Sequence, residues 1–226
     1  MNLPGDWVEN EEQGYSPPEV QGPIPWEDPE VPVLAALVNT IKLILLHPGE
    51  FFQNLTRQGG LSAPLGFALI LGTTGMLASF YWQLIQLLLI GNLGSWLSFL
   101  VNKSLNLEPK TVVGVTLLVP LLVLVTQFIG SFFLQLALLL VGGRQPSYEA
   151  AFRVVAYANA PLIATFLPMG GGVIASLWCL ILEFKALVRV FELSRLRALM
   201  ALLLASSFSL LIFGLLTLVL GSVLIR

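Results

Sequence analysis

Residues 147–197 of the chain read SYEAAFRVVAYANAPLIATFLPMGGGVIASLWCLILEFKALVRVFELSRLR. The stretch has two apolar segments joined by a glycine-rich turn, residues 169–172, and so it predicts a helical hairpin. It also holds three of the few charges in the apolar two-thirds of the chain, Arg153, Glu183 and Lys185. A charged side chain inside a bilayer is costly, and such residues usually pair or face the protein interior.

The composition indicates that the bilayer is the solvent of this chain. Of 226 residues, 56% are hydrophobic and only 11% are charged, whereas a soluble domain has roughly 25% charged residues. The mean hydropathy is +0.86. One cysteine and one histidine exclude a cysteine-rich or multi-histidine metal site, and no phosphate-binding or metalloprotease motif occurs. We therefore expect no catalytic, metal-binding or cofactor-binding residues and no nucleic-acid partner.

The first 32 residues differ from the rest of the chain. They hold seven of the fourteen prolines and eight of the thirteen acidic residues, but no lysine or arginine. Such a segment cannot bury enough apolar surface to offset the entropy of ordering, so residues 1–32 are predicted to form a disordered cytosolic tail. Within it, Trp26 and Glu27 form a candidate motif for docking a protein partner. The alternative is an inert tethered segment.

The remaining apolar segments predict an all-α fold. Residues 33–46 are too short for a span, which needs roughly 20 residues, and Pro48 ends the segment. A second short helix is expected from Pro48 to about Arg57, so residues 33–62 are predicted to form interfacial or re-entrant amphipathic helices. Residues 63–226 are predicted to form a bundle of five transmembrane helices, at about 64–90, 111–141, 149–167, 172–191 and 198–225.

The distribution of basic residues predicts the orientation of these spans. If the N-terminus lies inside, the inner loops and helix ends carry eight Lys and Arg residues and the outer ones carry three. Because cytoplasmic loops are enriched in Lys and Arg, we expect a cytoplasmic N-terminus and an external C-terminus in the cell (inner) membrane. Residues 91–110 then form an outer loop or a short interfacial helix, with Trp96 and Phe99 as anchors.

Polar residues recur at helical spacing on four of the five predicted spans. Gln127 and Gln135 lie on the stripe of the second span, Arg153 and Tyr157 lie on that of the third, and Asn159 is expected on another face. Residues three or four apart share one helix face, and in lipid such a face must meet protein or water. The stripes predict either packing between helices or a polar path or pocket. The stripe of the first span is Gly72, Gly75, Ser79, Gln83 and Gln86.

The hairpin predicts one intramembrane ion pair. Its helices run antiparallel through the glycine turn, so Arg153 and Glu183 are expected at similar depth and are predicted to pair. The alternative is that each side chain reaches the headgroups separately. Lys185 lies about 200° around the helix from Glu183, and it is expected to extend to the inner headgroups. The kink and the turn are predicted at Pro161, Pro168 and Gly170.

Three segments together form a distinctive pattern. They are HPGEFF at 47–52, APLGFA at 63–68 and FRVVAYANAP at 152–161, and PWE at 25–27 precedes them. In this pattern the chain resembles the bacterial and archaeal branch of the Yip1-domain family, over about residues 24–220. The resemblance implies five spans, a cytosolic N-terminus and an external C-terminus. Eukaryotic members bind prenylated small GTPases in vesicle traffic, but this tail lacks a clear counterpart of their acidic-aromatic segment.

Two hypotheses about function follow from these features. The leading hypothesis is a non-enzymatic integral membrane protein that binds or scaffolds partners, or affects membrane organisation and trafficking, through the tail and the interfacial helices. The alternative is an oligomeric channel or transporter that uses the polar stripes. An intramembrane enzyme is not expected, because no nucleophile or metal site is present in the sequence. The expected partners are the lipid bilayer, a protein that binds the tail, and further copies of the chain.

Overall fold

The computed structural model describes residues 24–90, 109–168 and 170–224. All secondary structure in these three ranges is helical, which confirms the all-α prediction for them. Trp96, Phe99 and tail residues 1–23 lie outside the described ranges. The α-helices are α1 (Val33–Leu46), α2 (Pro48–Asn54), α3 (Ser62–Ile90), α4 (Pro109–Val141), α5 (Tyr148–Ala158), α6 (Gly171–Val190) and α7 (Arg195–Leu224), and 3-10 helices cover Pro25–Glu27 and Ala160–Phe166.

Local sequence signals set several helix ends. Helix α1 ends at Leu46 and is capped by His47, whose N–H donates to the Leu43 carbonyl at 2.9 Å. Pro48 excludes helical geometry at the residue before it, and the chain turns by 113° into α2. Helix α5 begins at Tyr148 and is capped by Ser147, whose hydroxyl accepts a hydrogen bond from the Ala150 N–H at 3.1 Å. This hydroxyl satisfies one of the N–H groups that a helix start leaves free.

Helix α5 is the central element of the fold. Eight of its eleven residues are buried, and α3, α4 and α6 all contact it. A helix that is buried on nearly all sides belongs to a core rather than to a surface. The small residues Ala151, Ala156 and Ala158, which are fully buried, let its neighbours approach closely, so any polar group on α5 must be satisfied by protein.

The predicted third span, 149–167, is not one continuous α-helix. Helix α5 stops at Ala158, and a 3-10 helix continues over Ala160–Phe166. The physical reason is Pro161, which has no N–H for the helical bond to residue 157 and whose ring disfavours helix interiors. Eleven α-helical residues cover only about 17 Å, roughly half of a bilayer core. The segment is therefore not a single span-length α-helix, and its break lies beside Pro161, one of the residues at which a kink or turn was predicted.

Two helices in the described ranges are long and apolar enough to cross a membrane, Ser62–Gln86 and Val112–Val141. The bent pair Val33–Leu46 and Pro48–Asn54 adds a third if it is one broken span. The described residues therefore give two or three candidate spans where the sequence predicted five. Outside these spans, α6 and α7 also carry large exposed apolar side chains, among them Val173 and Leu210, which is typical of a lipid-facing surface.

The start of α6 packs directly against the second 3-10 helix. A Cβ atom added to Gly171 would lie 2.1 Å from the carbonyl oxygen of Ala164. That separation is far below a van der Waals contact, so only glycine fits at this position. The glycine-rich turn is thus required for close packing of the hairpin as well as for chain reversal.

Candidate functional site

A buried arginine lies at the centre of the candidate site. The side chain of Arg153, on α5, is 0% exposed, and an isolated buried charge is very unfavourable. Its Nε donates to the Thr56 carbonyl at 2.9 Å, and Nη1 donates to the Gly60 carbonyl at 3.3 Å. Its Nη2 donates to the Thr56 hydroxyl at 3.1 Å. These neutral acceptors from the loop after α2 satisfy part of the guanidinium but do not neutralise it.

The counter-charge comes from Glu27 in the first 3-10 helix. Nη2 of Arg153 donates to Oε1 of Glu27 at 2.6 Å and to Oε2 at 2.9 Å. The hydroxyl of Tyr157, one turn further along α5 and fully buried, also donates to Oε1. The Glu27 side chain is 21% exposed, so the carboxylate closes over the arginine from the surface side.

Trp26 fixes the same 3-10 helix to two other elements. Its indole Nε1 donates to the Ala63 carbonyl at 2.6 Å, at the start of α3. Its backbone N–H donates to the Thr40 hydroxyl of α1 at 3.0 Å, and its ring meets Phe67 edge-on with centroids 5.9 Å apart. We call Trp26, Glu27, Thr56, Arg153 and Tyr157 the Glu27 clasp. It joins the N-terminal segment to α1, α3 and α5 at once.

The loop that faces Arg153 is held by a second carboxylate. The N–H groups of Gly59 and Gly60 both donate to Oε1 of Glu149 at 2.6 Å. Gly59 has φ +148, and a Cβ there would lie 3.1 Å from Nη1 of Arg153. A side chain at this residue would therefore strain the backbone and press on the guanidinium. Glu149 thus positions the carbonyl groups that Arg153 uses.

Two expectations about the tail and the hairpin were wrong. Residues 24–32, which the sequence placed in a disordered tail, include the 3-10 helix Pro25–Glu27 and its contacts with the bundle. Arg153 pairs with Glu27 and not with Glu183. The predicted pair assumed continuous helices on both sides of the turn, which would place Arg153 and Glu183 at similar depth. The break after Ala158 changes both the rise and the rotation of the chain between these two residues. The disorder prediction rested on the composition of all 32 residues, and this composition concealed the short ordered motif Pro25–Glu27.

Glu183 lies half-buried on α6. Among the residues that the structure describes, it takes part in no ion pair. Lys185 is exposed on the same helix. The hairpin charges therefore do not form one site: Arg153 faces the N-terminal segment, and the two charges of α6 lie elsewhere.

Three of the predicted polar residue groups meet in a second location, a cavity of about 510 Å³ between α3, α4 and the second 3-10 helix. Buried Gln127 donates to the Phe152 carbonyl at 3.2 Å, and its Oε1 accepts from Nδ2 of Asn159 at 3.3 Å. The stripe of α3 faces the same space through Gly72, Gly75, Ser79 and Gln83. Because Gln127 and Asn159 are hydrogen-bonded to each other, this arrangement supports packing between helices over a polar path as the role of the stripes.

The remaining predicted residues belong neither to the Glu27 clasp nor to the lining of the cavity between α3 and α4. Gln135 is half-buried on α4 and does not line the cavity. Pro161 is buried at the start of the second 3-10 helix, and Pro168 is exposed after its end. Gly170 directly precedes α6. Pro161, Pro168 and Gly170 therefore lie in the connection between α5 and α6.

Sequence reasoning missed the residues of the loop after α2. Thr56, Gly59 and Gly60 contribute their backbone groups, which no sequence motif reveals. The available signal was Arg153, a lone cation in an apolar segment that needed a carboxylate as its partner, and Glu27 was one of several acids in the chain that could supply it. In the ranges that the structure describes, no group of three or more His, Cys, Asp or Glu side chains could hold a metal ion.

Comparison with known proteins gives one family. The Yip1 domain model matches residues 42–219. This range covers α2 to α6 completely, most of α7, and the last five residues of α1. The Glu27 residue of the clasp lies before it, whereas Thr56, Arg153 and Tyr157 lie within it. No curated protein and no solved structure matches the chain significantly.

Proposed function

The chain belongs to the Yip1 domain family, and from this membership and the Glu27 clasp we propose that it is a non-enzymatic integral membrane scaffold. In this proposal five helical segments cross the cell (inner) membrane, the third of them made of α5 and the 3-10 helix Ala160–Phe166, with the N-terminus in the cytoplasm and the C-terminus outside. The acidic N-terminal tail recruits partner proteins. The bundle holds the tail at a fixed position on the membrane surface.

The Glu27 clasp is the observation that carries this proposal. It ties residues 24–27 to three helices through hydrogen bonds from Trp26, Arg153 and Tyr157. The 23 residues before Ile24 contain five acids and no base. A segment of this charge tethered at one point on a membrane protein is suited to capture basic surfaces of partners at high effective concentration.

The test compares two ways of disabling the tail in native membranes. Full-length protein, a variant lacking residues 2–23, and Glu27→Gln are crosslinked in membranes, and the captured proteins are identified by mass spectrometry. The deletion keeps the clasp, so the bundle should remain folded while the partner set is lost. Glu27→Gln should weaken capture, because it frees the attachment point but keeps the acidic segment.

Glu30→Gln is the matched control, since it removes one exposed acid three residues away and should leave capture unchanged. A partner set that is the same with and without residues 2–23 would remove the tail from the proposed mechanism. A set that changes equally in Glu27→Gln and Glu30→Gln would assign the effect to tail charge and not to the clasp.

A channel or transporter built on the polar stripes receives less support. Its central polar groups, Gln127 and Asn159, bond to each other, and Gln127 also bonds to the Phe152 backbone. Glu183, the carboxylate of the fourth predicted span, does not line the cavity between α3 and α4. These contacts use the polar groups to hold helices together.

A further inference from the structure

The exposed face of α6 changes from apolar to cationic within one helical turn. Trp178, Ile181, Lys185 and Arg189 are all exposed. Lys185 follows Ile181 by four residues and Trp178 by seven, and Arg189 follows Lys185 by four, so all four lie on one face. Such a change on a lipid-facing helix is typical of the boundary between hydrocarbon and headgroups.

Helix α7 shows the same change in the opposite direction. Arg195 is exposed at its start, and Leu199 and Leu203 follow at four-residue spacing, also exposed. Helices α6 and α7 contact each other and are joined by only four residues, 191–194. Both helices therefore place their basic side chains next to the same connection, at one level of the molecule.

A cavity of about 270 Å³ lies at this level. Its lining is Gly49, Phe184, Lys185, Val188, Arg189 and Arg195. Three of these six residues are cationic and none is acidic. The nearest acids along the chain, Glu50 and Glu183, do not line it. We call it the cationic cavity.

The cations of the cationic cavity have no counter-charge within the described chain. In that part of the molecule, neither Lys185, Arg189 nor Arg195 lies within ion-pair distance of a carboxylate. The acid in the connection, Glu192, is used by other arginines: it lies 3.5 Å from Nη2 of Arg57 and 2.5 Å from Nη1 of Arg144.

We propose that the cationic cavity binds the phosphate of an anionic phospholipid headgroup. Arginine side chains bind phosphate oxygens through paired N–H donors, and lysine adds a point charge. Basic pockets between membrane helices recognise anionic headgroups in this way. The acyl chains lie along the apolar face of α6 that carries Trp178 and Ile181. This binding site is independent of the tail and of the Glu27 clasp.

The test measures lipid binding to the purified full-length protein in neutral detergent by native mass spectrometry. Phosphatidylglycerol and phosphatidylcholine are titrated separately, and inorganic phosphate is titrated alone. The site variant is Arg189→Gln with Arg195→Gln. The matched control is Lys42→Gln with Arg197→Gln, which removes two exposed charges outside the cavity. Arg189→Lys with Arg195→Lys keeps the charge and reports whether the fold tolerates substitution.

The site variant should bind phosphatidylglycerol about thirtyfold more weakly than the unaltered protein, because it removes two charge-assisted contacts to the phosphate. The control should stay within about threefold of the unaltered protein, because neither of its residues lines the cavity. The lysine variant should lose less binding than the site variant, because it keeps both charges but not the paired N–H donors. Equal losses in the site and control variants would overturn the proposal in favour of diffuse attraction. Equal binding of phosphatidylcholine, or inorganic phosphate binding as tightly as the lipid, would overturn the assignment to an anionic lipid.

Discussion

Glu27→Gln removes the charge of the clasp while keeping its shape and an acceptor oxygen. Breaking a buried ion pair by removing one partner costs about 3–5 kcal/mol. The cost is lower here because Arg153 keeps the Thr56 and Gly60 oxygens and the Glu27 side chain is 21% exposed. We expect about 2 kcal/mol for the attachment of residues 24–27, which is about a thirtyfold change in its equilibrium constant.

Amide hydrogen exchange in detergent measures this attachment directly. The Trp26 N–H donates to the Thr40 hydroxyl at 3.0 Å, and the Glu27 N–H donates to the Ile24 carbonyl at 2.8 Å. Both amides should exchange about thirtyfold faster in Glu27→Gln, because local opening exposes them. The control Glu30→Gln removes the same charge from an exposed side chain and should leave both rates within twofold of the unaltered protein.

A double-mutant cycle with Arg153→Met isolates the pair itself. If Glu27 and Arg153 act as one unit, the two substitutions together should cost at least about 1.5 kcal/mol less than the sum of the single ones. The reasoning fails if the coupling is below about 0.5 kcal/mol. It also fails if the exchange rates of Glu27→Gln match those of Glu30→Gln. Either result would mean that the clasp contributes no energy to the position of the N-terminal segment.

Two further substitutions test the clasp and the hairpin. Tyr157→Phe removes the hydroxyl that donates to Glu27 and should lower the free energy of unfolding by about 1 kcal/mol. The loss is measured as a lower midpoint of thermal unfolding, and an unchanged midpoint would contradict the role given to this hydroxyl. Gly171→Ala places a Cβ 2.1 Å from the Ala164 oxygen and should cost about 1–3 kcal/mol. Its control, Gly114→Ala, meets no atom within 4 Å and should be neutral or slightly stabilising; equal effects of the two alanines would contradict the close packing of α6.

The sequence predicted helix positions well where the signals are local. Residues 33–46 were predicted as a helix and form α1, because Pro48 acts on the residue next to it. The long apolar segment at 111–141 forms α4, Pro109–Val141. Apolar runs and prolines act on their own neighbourhood, so a single sequence is sufficient to place these elements to within a few residues.

The candidate site depended on contacts that no local signal reveals. Glu27 and Arg153 are 126 residues apart, and the composition of the whole tail concealed a three-residue helix within it. The four-residue spacing of residues on the third predicted span also did not predict a shared helix face beyond the break after α5. Arg153, Tyr157 and Pro161 keep their four-residue spacing although the helix ends before Pro161. A repeat of polar residues predicts a shared face only while the backbone stays α-helical.

The chemistry of Arg153 explains why a buried cation is useful at the centre of an apolar bundle. Among the described residues, Arg153 is the one charged side chain that is fully buried, and a well-packed apolar residue is often at least as stable at such a position. An apolar residue, however, would accept any apolar segment against α5. A guanidinium accepts only a segment that brings a carboxylate to within hydrogen-bond distance, as Glu27 does at 2.6 Å. We infer that the pair provides specificity more than stability: it selects one N-terminal segment and one register for its attachment. Substitution of both Glu27 and Arg153 by apolar residues, combined with Tyr157→Phe so that no buried hydroxyl loses its acceptor, should therefore give an unfolding midpoint no lower than that of Tyr157→Phe alone, while residues 24–27 lose their protection from exchange. Retention of that protection in the triple variant would show that Trp26 alone is sufficient to position the segment.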